Sequence, residues 1–274
     1  MERKHFWHIL KTDFAYLSPQ KRHVLVENLA GWGTFIFYTR LVKTVYTNSV
    51  IARRGNFDRN KWADASFEVF KLVESAGGKY NISGFKGLTR QKGPCIYIAN
   101  HMSMIDTLIL PCLTLSMTDV TFVVKESLLR YPVFGEVIRA VHPISVSRRN
   151  PREDFKIVLS KGQEFISNNY SIIIFPQATR STIFDAASFN SLGVKLARKT
   201  GVPVVPIALK TDFHGNGRII KDMGPVDPRK ILYFKFGDPL EVEGSGQATH
   251  RKVVEFIERN LKAWGGQVSD VPGA

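Results

Sequence analysis

Through most of the chain, short apolar runs alternate with stretches of helical spacing. "CIYIA", "VTFVV", "YSIIIF" and "VPVVPIAL" are near-continuous apolar blocks of strand length. That is the pattern of strands covered on both faces. "KYNISGF", "PISVS" and "KILYFKF" read as further strands. In "NKWADASFEVFKLVESAGG", Trp62, Phe67, Phe70 and Val73 recur at helical spacing, and Gly77–Gly78 ends the helix. "REDFKIVLSKGQEFISN", "SLGVKLARKTG" and "THRKVVEFIERNLKAW" repeat that spacing, and "SLLRYPVFGEVIRAV" does so in part. "IDTLILPCLTL" also reads as helical, with Pro111 near a turn or kink. The alternation predicts an α/β fold: a mostly parallel mixed sheet flanked by helices on both faces. Ligands of such sheets sit beyond the carboxyl ends of the strands.

Residues 1–57 break the pattern. Between Glu27 and Asp58 there is no acidic residue, while large apolar side chains from Trp32 to Ile51 alternate with Arg40, Lys43, Arg53 and Arg54. Aromatics with cations and without anions predict an amphipathic helix or helical hairpin lying on a membrane surface. Gly31 and Gly33 mark a bend in it. The division expected is a membrane-association segment at 1–57 and an α/β domain at 58–274.

Composition narrows the function. The 274 residues are 44% apolar, enough for a sizeable core. The net charge of +14 calls for an anionic partner: nucleic acid, an anionic membrane face or a phosphorylated ligand. No nucleic-acid-binding block is present, and the aromatics cluster with apolar residues. Cys95 and Cys112 both lie in apolar runs, which fits buried small hydrophobes in a reducing compartment. No secretory leader and no membrane-crossing helix are expected.

Three strand ends carry polar groups. "NHMSMID" follows "CIYIA" and holds His101 and Asp106. With His101 in the loop before a helix, Asp106 can accept the imidazole N–H and fix its tautomer. "SVSRRNP" brings Arg148 and Arg149 after one strand, and "QATRS" brings Thr179, Arg180 and Ser181 after another. Arginine's planar fork suits phosphate.

Four blocks in order, "NHMSMID", "KESLLRYPVFG" with "ISVSRR", "FPQATRS" and "GVPVVPIAL", resemble the glycerophospholipid acyltransferase family over about residues 80–240. One departure is plain: the family's FPEGTRS has Gln177 and Ala178 here. The resemblance implies that His101 is the general base that deprotonates an acceptor hydroxyl for attack on an acyl thioester, with Asp106 orienting it. It implies an oxyanion site of backbone N–H groups near the third block, with Thr179, and a phosphate site of Arg148 and Arg180 with Ser181 as an added donor. Lys125 and Gln177 join the substrate-binding set. The expected partners are a lysophospholipid acceptor, an acyl thioester of coenzyme A or acyl carrier protein, and an anionic membrane surface on its cytoplasmic side. Neither metal nor other cofactor is implied. Gln177 motivates a rival reading, a different lysophospholipid or lyso-aminolipid acceptor. A dead membrane-surface scaffold is a further rival.

Overall fold

The computed structural model describes residues 1–19, 32–177, 179–215, 217 and 223–269. The chain begins with α1 (Arg3–Thr12), β1 (Ala15–Leu17), α2 (Trp32–Arg53) and α3 (Arg59–Ser75). It continues through β2 (Lys79–Ser83), α4 (Phe85–Arg90), β3 (Ile96–Ala99), α5 (Met104–Thr114) and β4 (Asp119–Lys125). A 3₁₀ turn at Glu126–Arg130 leads to α6 (Phe134–Ala140), β5 (Ile144–Val146), α7 (Pro151–Ser167) and β6 (Tyr170–Ile174). The remainder is β7 (Ile183–Phe184), α8 (Leu192–Thr200), β8 (Val204–Lys210), β9 (Ile231–Phe236), α9 (Gln247–Ala263) and β10 (Gln267–Val268).

Among the described residues, eight strands form one sheet in the order β1-β2-β9-β8-β3-β6-β4-β5. The run β8-β3-β6-β4-β5 is parallel, while β8–β9 and β1–β2 are antiparallel. Five carboxyl ends therefore share one edge. β3 explains its own apolar run. Tyr97 and Ala99 face one core, Ile96 and Ile98 the other, and all four are buried. The first core packs α1, α3 and α5 on the sheet, and the second packs α7, α8 and α9. Helix α8 comes close because residue 193 is glycine: a Cβ there would lie 2.6 Å from Ile98 Cδ1. The predicted mixed sheet between two helical layers is what forms.

The N-terminal part departs from expectation in detail. Strand β1 extends the sheet antiparallel to β2, and α1 buries Phe6 and Leu10 among Tyr16, Phe67 and Phe70. Residues 1–17 thus share the sheet and core of the α/β body. Helix α2 runs unbroken through Gly33, so no bend occurs there; Gly31 lies outside the described residues. Phe37, Tyr38 and Leu41 are buried, with the Phe37 ring against Phe213 at 6.1 Å. Phe35, Val42 and Tyr46 are instead more than half exposed. Their spacings of seven and four residues put them within about 40° of one another on the helix. Pro111 sits inside α5, whose final turn persists through the Leu115 N–H to Pro111 carbonyl bond of 2.9 Å.

Candidate active site

Each parallel strand delivers its following loop to the same edge. His101 lies in the loop between β3 and α5, and Asp106 is the third residue of that helix. Five residues on a continuous helix would separate these side chains. The loop lets them meet, with His101 Nδ1 and Asp106 Oδ2 2.9 Å apart. A carboxylate only accepts, so Nδ1 carries the proton and the Nε2 lone pair remains for an incoming hydroxyl. The Phe175 ring stacks on the imidazole at 4.1 Å and 18°, which limits rotation about its bond to the backbone. The His101 side chain is 18% exposed and Asp106 fully buried, so a substrate can reach the base and not the carboxylate.

Asp106 is held from several sides. Its Oδ2 also accepts the backbone N–H groups of Met102 at 2.6 Å and Ser103 at 3.0 Å. The latter contact is the carboxylate half of a capping box at the start of α5. Its Oδ1 accepts the Thr211 hydroxyl, just past β8. Asn100 ties the same loop to β8 through a pair of 2.8 Å bonds with Leu209 backbone.

The third block holds His101 by its backbone. Gln177 Oε1 accepts the His101 N–H at 2.6 Å, and the Ser181 N–H reaches the His101 carbonyl at 3.0 Å. Gln177 is buried, so it acts as a support and the substrate-binding role is not what its geometry provides. An amide oxygen can accept this bond just as a carboxylate oxygen can, so glutamine is compatible with the support role. Ser181 likewise spends its hydroxyl locally, donating to the Ile183 carbonyl at 2.7 Å and accepting the Ile183 N–H at 3.1 Å. It shapes the loop that carries Arg180 and offers no spare proton to a phosphate.

The other sequence candidates spread along the edge. Thr179 is exposed and Arg180 half-buried on the loop beside His101; Ala178 lies outside the described residues. Lys125 ends β4, two strands from β3, and is exposed. Arg148 follows β5, three strands from β3, or about 14 Å at the usual strand spacing. Its loop is anchored by Asp154, which accepts the Ser147 N–H at 2.8 Å and the Arg148 N–H at 2.7 Å. Arg148 adopts a left-handed backbone with φ of 59°. Burial pulls its guanidinium pKa below the usual arginine range, with the Asp154 carboxylate acting in the opposite sense.

An apolar cavity is lined by Val45, Trp62, Val69, Leu108, Phe122 and Ile138 among others. Phe122 stacks on Phe175 at 6.1 Å, and Trp62 lies 6.0 Å from Phe122. Aromatic rings thus lead from the imidazole toward an apolar interior.

The His101–Asp106 pair thus sits at the carboxyl edge of the parallel strands, with aromatic rings on one side and arginine-bearing loops along the edge. Residues 82–210 match the family model described as Acyltransferase. The chain is 25% identical over 233 residues to the 1-acyl-sn-glycerol-3-phosphate acyltransferase of Pseudomonas aeruginosa, covering 85% of this chain and 82% of that one. It is 30% identical over 165 residues to a chloroplastic 1-acyl-sn-glycerol-3-phosphate acyltransferase of Brassica napus. That match takes in 60% of this chain and 44% of the plant protein, so the chain spans less than half of that relative. Its fold is that of the crystal structure of the 1-acyl-sn-glycerophosphate acyltransferase PlsC from Thermotoga maritima. The TM-score is 0.60 at 23% identity, covering 87% of this chain and 97% of that one.

Proposed function

We propose that this protein transfers a fatty acyl group from a thioester donor to the sn-2 hydroxyl of 1-acyl-glycerol-3-phosphate, giving phosphatidate. The observation that carries the reading is the His101–Asp106 pair, fixed in one tautomer beside an arginine-bearing loop. His101 Nε2 takes the hydroxyl proton as the oxygen attacks the thioester carbonyl. The tetrahedral intermediate collapses, the C–S bond breaks, and the proton passes to the leaving thiolate. Asp106 stabilises the imidazolium in between. Backbone N–H groups of the third block serve the developing oxyanion. The donor is an acyl thioester of coenzyme A or of acyl carrier protein.

Arg180 and Arg148 bind the acceptor's phosphate in this reading. A hydrogen bond to a charged group is worth about 1.5–3 kcal/mol, so Arg180→Ala should raise the KM for lysophosphatidate about 10- to 100-fold. Arg148→Ala should act in the same direction and more weakly, since its strand is farther from His101. The donor KM should stay within about twofold of wild type. Steady-state kinetics with each substrate varied in turn, on a panel of lysolipid head groups, checks both points. A change confined to the donor would remove the phosphate role. Preference for a neutral or zwitterionic head group would favour the rival acceptor reading. Gln177 no longer argues for that rival, because its oxygen holds the His101 backbone.

The membrane reading rests on the exposed stripe of α2, with the exposed cations Lys43 and Arg40 further round the same helix. No helix among the described residues is long and apolar enough to cross a membrane. We place the protein on the cytoplasmic face of an anionic bilayer, with Phe35, Val42 and Tyr46 dipping into the interface. Full burial of each is worth about 1.5–3 kcal/mol, and shallow insertion recovers part of that. Changing all three to Ser should lower vesicle partitioning by about tenfold or more, and Arg40→Gln with Lys43→Gln should reduce the dependence on anionic lipid. Co-sedimentation with anionic and with zwitterionic vesicles measures both. Equal sedimentation of wild type and both variants would mean that the stripe is not the contact surface. Phe37 is a core residue, so Phe37→Ser should cost stability instead.

A further inference from the structure

Thr211 lies outside the four blocks and 105 residues from Asp106 in sequence, yet it reaches the same carboxylate. Its side chain is fully buried. Its hydroxyl donates to Asp106 Oδ1 and accepts the Ser103 hydroxyl at 2.9 Å. Its backbone N–H points at Met102 Sδ at 3.3 Å. A one-way chain of donors therefore runs from Ser103 through Thr211 into the carboxylate oxygen turned away from His101.

We propose that Thr211 is a positioning residue for the acyl transfer, acting through Asp106, with Ser103 as its support. The reasoning is geometric. Oδ2 is already shared by His101 and two backbone N–H groups. Rotation about the Cβ–Cγ bond moves both oxygens together, so a donor on Oδ1 adds a second restraint to the same rotation from the opposite side of the carboxylate. Thr211 supplies that second restraint, and it directly follows β8, the strand neighbouring β3. The carboxylate is thus clamped between its own loop and the residue that follows the adjacent strand. Directed donation also matters: the Ser103 proton commits the Thr211 oxygen to accept, so the Thr211 proton has Asp106 as its partner. A buried acceptor deprived of its donor stays desolvated and uncompensated, and its grip on the Nδ1–H changes. This role rests on the acyltransferase reading above, in which His101 is the base.

The test uses full-length protein carrying Thr211→Val, Thr211→Ser or Ser103→Ala. Valine keeps the shape and removes the hydroxyl; serine restores it. Thr211→Val should lower kcat about 10- to 100-fold with both KM values within about twofold of wild type. Thr211→Ser should recover most of that rate. Ser103→Ala should lose a few-fold, since Thr211 keeps its bond to Asp106. A second measurement needs no substrate: proton NMR of protein with ¹⁵N-labelled histidine, following the Nδ1–H of His101. That proton should exchange with water at least about tenfold faster in Thr211→Val and at a near wild-type rate in Thr211→Ser.

Unchanged exchange and unchanged kcat in Thr211→Val would overturn the proposal. So would equal losses in the valine and serine variants, which would indicate packing alone. If Thr211→Val does not fold, Ser103→Ala decides: wild-type exchange and wild-type kcat in that variant would overturn it. Wild-type inactivity on lysophosphatidate would count against the acceptor reading, while the exchange data would still judge the clamp.

Discussion

Replacing His101 by alanine is expected to lower kcat by about 10²- to 10⁴-fold, the usual worth of a positioned general base. The expectation follows from the tautomer. With Nδ1–H given to Asp106, Nε2 is the basic nitrogen of the pair, and the ring is 18% exposed where a hydroxyl can meet it. The fold should survive, because both backbone bonds that tie residue 101 to the third block involve its N–H and carbonyl. The ring itself contributes a stacking contact with Phe175. Thermal unfolding within a few degrees of wild type, beside lost turnover, is the expected result. An active His101→Ala protein would mean that another group takes the proton.

Asp106→Asn should lose up to about 10⁴-fold in kcat, by analogy with Ser-His-Asp triads. The geometry says how the amide would sit. Oδ2 faces three donors, Nδ1–H and two backbone N–H groups, which the amide nitrogen could not face without opposing N–H to N–H. The asparagine oxygen therefore takes that side, and its NH₂ faces the Thr211 hydroxyl, whose own proton loses its acceptor. The variant keeps the loop and loses the charge that stabilises the imidazolium. Crystallography or thermal unfolding should find the loop intact while single-turnover acyl transfer collapses. Turnover near wild type would show that the carboxylate serves the fold alone.

The parallel strands were legible because burial on both faces leaves an unbroken apolar signature. β3, β6 and β8 carry it, and their loops were placed at the site by the rule for parallel sheets alone. His101 and Asp106 lie within one loop and the first turn after it, so the sequence placed them near each other; their roles came from the resemblance of the four blocks to the acyltransferase family. The support roles of Gln177 and Thr211 were not legible. Each works by a hydrogen bond to residues at least 76 positions away, and nothing local to a glutamine after Phe-Pro or a threonine after a strand indicates that partner. Only the order of strands, with β8 and β6 on either side of β3, brings them together. Helix α2 posed a different difficulty. It is apolar on several sides, so the pattern did not separate Phe37, which faces the core, from Phe35, which faces out. α1 and β1 carry little pattern, since one has only two fully buried residues and the other is three residues long.

The most direct measurement is mass spectrometry of the products formed by purified protein from lysophosphatidate and an isotope-labelled acyl thioester. The wild-type protein is predicted to give phosphatidate carrying the labelled chain at sn-2, and His101→Ala to give only a trace under the same conditions. Absence of labelled phosphatidate from the wild type with either donor, or equal amounts from the two proteins, would contradict acyl transfer through the His101–Asp106 pair.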